Sequence, residues 1–285
     1  MRQFIDQKNR GQVLLLDSPS QAVEAGYAAY QNSHHRGSLG GEWEGRTFGS
    51  HEGVKTALTR PWEKGLEVMD EFRKKLERQL PEPESVRRRP VWDEVQGSLD
   101  VDRVLGGDPM MFRDVRRRRT TAPKNVALLC NTAENCYMTA DQITWRGAAA
   151  VAAVDLLEAA GYSCEFWIWN CGIYAFLGSA PNWFMAAKVK ACGDPLDTDL
   201  LLNSISAWYF RMVCIGLVST RAFGYPQPDT GYGSWSATPH IGGFIEHLDV
   251  SENITRIDME SPTTPDGAVQ AALKVLETAA QGGEL

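Results

Sequence analysis

Two periods of apolar and polar positions run along this chain, and they change over near its middle. In the first part the spacing is helical. Ser18-Pro19-Ser20 opens a short helix reaching Ala29, with Ser18 as its N-cap and Pro19 in the first turn. A loop of small and polar residues, Asn32 to Gly41, leads to Trp43, Thr47 and Phe48. Trp62, Leu66, Met69, Phe72 and Leu76 then recur at three- and four-residue steps, which predicts a helix from about Pro61 to Leu80 with one apolar stripe. Pro81 and Pro83 end it. Asp100 to Pro109 reads as a single helical turn stopped by Gly106 and Gly107.

Beyond Pro123 the pattern becomes one of short apolar runs. Asn125 to Asn131 has the unbroken apolar character of a strand buried on both faces. Thr139 to Ala160 is an Ala-rich helix ending at Gly161. Cys164 to Asn170 and Trp183 to Ala191 are the next strands, and Asp194-Pro195 opens a long helix reaching about Val218. A strand near Ile254–Met259 and a terminal helix from Thr264 to before Gly282 close the chain. This order predicts a layered α/β domain with a mainly parallel sheet, Val126–Cys130 inside it and helices on both faces. Cys164–Trp169 and Met185–Lys190 are expected to pair as antiparallel neighbours. Residues 1–120 are expected to form a mostly helical accessory region and 121–285 the α/β domain.

Composition refines the picture. Hydrophobic residues at 43% and charged residues at 23% are ordinary for a globular chain. No apolar run has the eighteen or so residues of a membrane helix, and the start, Met-Arg-Gln-Phe-Ile-Asp, lacks a signal-peptide pattern. No membrane partner and a cytoplasmic or virion-associated location are therefore expected. Of the net charge of −7, residues 1–120 contribute 21 − 19 = +2 and residues 121–285 contribute 8 − 17 = −9. Such a split points to two regions with different surroundings, not to a generally basic nucleic-acid binder. The six cysteines form no CxxC pair and have no histidine at ligand spacing, so reduced, buried thiols are expected.

The strand, helix and two adjacent strands after Asn125 resemble the von Willebrand factor A fold. Ala186-Ala-Lys-Val-Lys-Ala-Cys-Gly-Asp-Pro-Leu-Asp197 before a long helix resembles the A-like domains of Ro-type RNA-binding proteins and cobalt-chelatase subunits. Over nearly the whole length, the chain resembles a family encoded largely by bacteriophages. That likeness is carried by Thr47-Phe48, Trp62…Gly65, Leu99 to Met110, and Arg146-Gly-Ala-Ala…Asp155-Leu-Leu-Glu-Ala-Ala-Gly-Tyr162. Metal-binding A domains hold a divalent ion through Asp-x-Ser-x-Ser at the end of the first strand, completed by a threonine and an aspartate from later loops. A hard cation needs such oxygen ligands, anionic ones included. Here the motif's place is taken by Asn131, Thr132, Ala133, Glu134 and Asn135. The anionic ligand and a hydroxyl are gone, so the resemblance implies a degenerate site without metal or cofactor. The later threonine is either Thr220 or Thr230.

Other candidates have plainer alternatives. Asn131, Thr132 and Asn135 at the mouth of a sheet can bind a ligand or simply cap the next helix. Arg116, Arg117, Arg118 and Arg119, with Arg87, Arg88 and Arg89 upstream, can neutralise phosphates or form a solvated linker or an acid-binding surface. The His34-His35 pair stands alone in a loop, and His240 and His247 read as ordinary surface or core residues. Trp167, Trp169 and Trp183 read as sheet packing, with an edge interface as the alternative. There is no GxSxG elbow, no GxxxxGK[ST] loop and no HExxH helix. The expectation is a non-catalytic protein–protein interaction or assembly component. An RNA- or DNA-associated factor working through the arginine runs is the alternative.

Overall fold

The computed structural model describes residues 1–6, 11–32, 39–79, 91–93, 98–99, 104–106, 112–114, 125–132, 138–173, 182–219, 246–250, 255–259 and 264–281. By contacts the chain divides into Met1–Glu77 with Lys124–Leu285, and Arg78–Pro123. This differs from the expected boundary at 120/121, because the first strands belong to the main sheet. The smaller unit holds a three-stranded antiparallel sheet of β5 (Val91–Asp93), β7 (Phe112–Asp114) and β6 (Ser98–Leu99), in that order.

In the larger unit β1 (Arg2–Asp6) and β2 (Gly11–Leu16) join β8 (Asn125–Asn131), β9 (Ser163–Ile173), β10 (Asn182–Lys190) and β11 (Thr255–Met259). The order is β1-β2-β10-β9-β8-β11. β8 lies parallel to both β9 and β11, and β10 runs antiparallel to β9 and parallel to β2, while β1 turns back on β2. The sheet is therefore mixed. As the apolar run at 125–131 implies, β8 is an inner strand with Val126 to Cys130 all buried. The N-terminal strands were not expected. Val13 to Leu16 is a short apolar run that periodicity alone cannot assign, and pairing with β10 makes it a strand.

The helix α1 (Pro19–Asn32) follows β2, and α2 (His51–Lys55) and α3 (Glu63–Gln79) follow a small hairpin of β3 (Gly40–Gly41) and β4 (Arg46–Thr47). α4 (Ala140–Ala159) starts at Thr139, whose hydroxyl accepts from the Gln142 backbone while Gln142 reaches back, a capping box. It stops before Gly161, which takes φ 94, a left-handed position that glycine fills without strain. Its alanines and Gly147 let neighbours come close. A β-carbon at Gly147 would lie 2.6 Å from the Ile205 side chain.

The single long helix expected over 194–218 is broken. α5 (Thr198–Ser204) ends at Ile205, and the next helical stretch, a π-helical segment Tyr209–Cys214 running into α6 (Ile215–Ser219), is bent from it by 57°. Ser204 and Ser206 donate their hydroxyls to the Leu200 and Asn203 carbonyls, local competition that bends helices. α7 (Pro265–Gln281) packs beside α4, with the Tyr162 hydroxyl donating to the Ala279 carbonyl. No single described helix is long and apolar enough to cross a membrane.

Side chains alternate across the sheet. On one face Leu129, Trp167, Trp169, Phe184 and Val13 form a core with Leu248 and Val250. On the other lie Cys130, Thr132, Asn170 and Trp183, with Arg146 of α4 near the Cys130 thiol and Cys214 near Asn170. Trp183 thus faces away from Trp167 and Trp169, and all three are buried as packing residues.

Candidate functional site

The carboxyl end of β8 is closed by the sheet's own hydrogen bonds. Asn131 and Thr132 are consecutive and both buried, so alternation sends them to opposite faces. Thr132 donates its backbone N–H to the Trp169 carbonyl at 2.8 Å and its hydroxyl to the same oxygen at 3.2 Å. Its Oγ1 accepts from Asn170 Nδ2 at 3.0 Å. The hydroxyl is thus engaged between two strands and turned into the helix-covered face, not out toward a ligand. Asn131 and Thr132, grouped as one site in the sequence, are separated by the pleat.

Behind this end the core carries unusual polarity. Arg146 is buried, and burial pushes its guanidinium down to about 10, so it keeps its charge at neutral pH. Burial drives the Cys214 thiol well above its ordinary value, with the Asn170 amide opposing. Ala133, Glu134, Asn135, Thr220 and Thr230 lie outside the described residues, as do Arg87, Arg88, Arg89, Arg116, Arg117, Arg118, Arg119, His34, His35 and His240. Among the described residues no group of three or more His, Cys, Asp or Glu side chains stands together as a cation site.

On the tryptophan face Glu165, fully buried, accepts from the Trp167 indole and faces Lys188 Nζ at 3.4 Å. The Lys188 ammonium lies 4.8 Å from the Trp167 ring centre and donates to the Asp249 carbonyl at 3.2 Å. Nearby, His247 meets Asp6 at 2.7 Å and packs edge-on against Phe4. Residues 246–250 are therefore fastened to the sheet at two polar points, with Leu248 and Val250 inserted into the core. These contacts hold residues 246–250 against the sheet.

The third polar centre joins the β3–β4 hairpin to α5 and the start of α4. Gly45, at φ 71, fits where a β-carbon would lie 2.7 Å from the Ala140 side chain. Arg211, buried in the π-helical segment, donates to the carbonyls of Trp43 and Met138 and lies 4.4 Å from the Trp43 ring centre. Phe48 packs edge-on against Trp208 at 5.3 Å. Arg46 Nη1 donates to Asn203 Oδ1 at 2.9 Å, and Asn203 Nδ2 donates to the Arg60 carbonyl at 3.0 Å. Sequence reading singled out Thr47-Phe48 here but not Arg46, Arg60 or Asn203. The one available signal was a polar Asn203 directly after the apolar run Leu200–Leu202.

A family model described as a domain of unknown function, DUF7192, matches residues 16–275 of the chain. No curated protein and no solved structure matches it.

Proposed function

The chain belongs to the DUF7192 family, and we propose that it is a non-catalytic assembly component whose α/β core is von Willebrand factor A-like with a degenerate metal site. The core reading is supported by strand order β10-β9-β8-β11, with an antiparallel β10 following the β8-α4-β9 unit. The degenerate site is supported by Thr132, whose hydroxyl is engaged between β8 and β9.

The observation that carries assembly is β1. It stands at the edge of the sheet, and among the described residues no strand pairs with its outer side. Ile5, one of the two apolar residues on this strand, is 69% exposed. An edge with an exposed apolar residue is a template for another strand. The occupant is a second copy of this chain. An antiparallel β1–β1 pair centred on Phe4 sets Gln3 across from Ile5 twice over, the two-fold repetition a self-contact requires, while Asp6 keeps its bond to His247.

The test is molar mass by light scattering and sedimentation over a concentration series. The expected result is a dimer that the exposed-site change Ile5→Lys converts to a folded monomer whose melting temperature no longer rises with protein concentration. A wild-type protein that stays monomeric throughout would overturn the reading.

A further inference from the structure

Asn203 joins the Arg46 guanidinium to the backbone of Arg60. Arg46 is half-buried at the end of the hairpin, and its guanidinium is held from two sides. Asn203 accepts from Nη1 at 2.9 Å, and the Phe48 ring lies beneath at 5.2 Å. Asn203 is itself fully buried and turns its amide nitrogen to the carbonyls of Arg60 at 3.0 Å and Asp199 at 2.9 Å. One side-chain amide therefore ties a fixed arginine to the segment bearing an exposed one. Asp199 gives this network only its backbone carbonyl. Among the described residues neither guanidinium has an ion-pair partner. Burial, and then the charge of Arg60, hold the Arg46 guanidinium below its ordinary value. A half-buried guanidinium with a second cation in the adjoining segment is favoured by an anion that joins the two. The planar guanidinium fork matches the oxygens of a phosphate and can bind them in pairs.

We propose that Arg46 and Arg60 form a site for a phosphate oxyanion, with Arg46 as the fixed donor, Asn203 as the residue that positions it, and Arg60 as the arm that closes on the ligand. The assembly reading is not needed for this site. The same chemistry is offered by a phosphate monoester on a small molecule and by the phosphodiester of a nucleic-acid strand.

Calorimetric titration of the full chain with inorganic phosphate, a nucleoside monophosphate and a short single-stranded oligonucleotide tests it. At least one probe should bind saturably. Arg60→Gln should weaken that binding about ten-fold or more, a factor corresponding to about 1.4 kcal/mol. Arg46→Gln should abolish it. Because Arg60 is exposed, its variant should keep the wild-type melting curve, so it decides the question even if Arg46→Gln folds poorly. Preference for the monoester assigns a small-molecule ligand, and preference for the oligonucleotide, with a steep loss on adding salt, assigns a nucleic-acid backbone. Either keeps the site. No binding by any probe, or equal binding by wild type and Arg60→Gln, overturns it.

Discussion

The inner strand β8 and the edge strand β1 belong to one sheet and are specified in opposite ways. From Val126 to Asn131 every β8 side chain is buried, whichever face it takes. In β1, Arg2, Gln3 and Ile5 are exposed and only Asp6 is buried. An inner strand is fixed by packing on both faces, and its sequence shows it as an unbroken apolar run. An edge strand is fixed by backbone pairing to one neighbour and by a few anchors, here Phe4 against the core and Asp6 with His247. Stability should therefore concentrate inward, while the edge remains free to serve contact.

The sharpest test is the same kind of truncation at both places. Leu128→Ala should cost about 2–5 kcal/mol, the range for a fully buried leucine, whereas Ile5→Ala should stay within about 0.5 kcal/mol. Urea unfolding of the two variants measures both, and similar losses would erase the contrast. Next in size is Glu165→Gln. It leaves the Trp167 indole an acceptor but removes the charge facing Lys188, and a loss of about 1–3 kcal/mol is expected for a buried polar partnership that is half undone. Lys188 is partly exposed, which places the loss toward the low end.

A third test uses pH. Burial raises the Cys164 thiol from about 9 to about 12, with the Glu158 charge adding to the shift; Cys214 moves the same way. The unfolded thiols release their protons first as pH rises, so the folded state holds more protons in that window and loses stability there. The unfolding midpoint should fall progressively above about pH 9, and less steeply in Cys164→Ala. An unchanged slope in that variant would assign the alkaline sensitivity elsewhere. The smallest effect belongs to the edge again. Ile5→Lys should change the molar mass and leave the unfolding curve where dilute wild-type protein has it, so a large drop below that would mean that β1 is held as the inner strands are.

This contrast also accounts for what the sequence could reveal. β8, β9, β10, α4 and α7 were legible because each is long or apolar enough to stand out, β11 because Ile257 and Met259 alternate with polar residues, and α4 carries its own start and stop signals in Thr139, Gln142 and Gly161. β1 and β2 were not, since Val13–Leu16 is too short an apolar run to assign by period and β1 is a mostly polar strand held by pairing with β2. The break at Ile205 escaped because Ser204 and Ser206 act through hydroxyl bonds that a helical pattern tolerates. Of the candidate site, that Asn131 brings no anionic side chain was readable from residue type, but the turning of Thr132 into the sheet depends on Asn170 across the strand. Arg46 and Arg60 could not be joined on paper: the residue that links them, Asn203, stands 157 positions from Arg46.

The parallel pairing of β2 with β10 has a practical side. Along Asn182–Ala187, β10 depends on Gly11–Leu16 to satisfy its outer backbone groups. That stretch includes Trp183, Phe184 and Met185, all buried in the folded chain. A truncated polypeptide starting near residue 121 would bare a long apolar edge rich in aromatic side chains, the kind of segment that nucleates aggregation. The first sixteen residues thus act as a built-in shield for the second half of the chain, and a soluble fragment has to carry them.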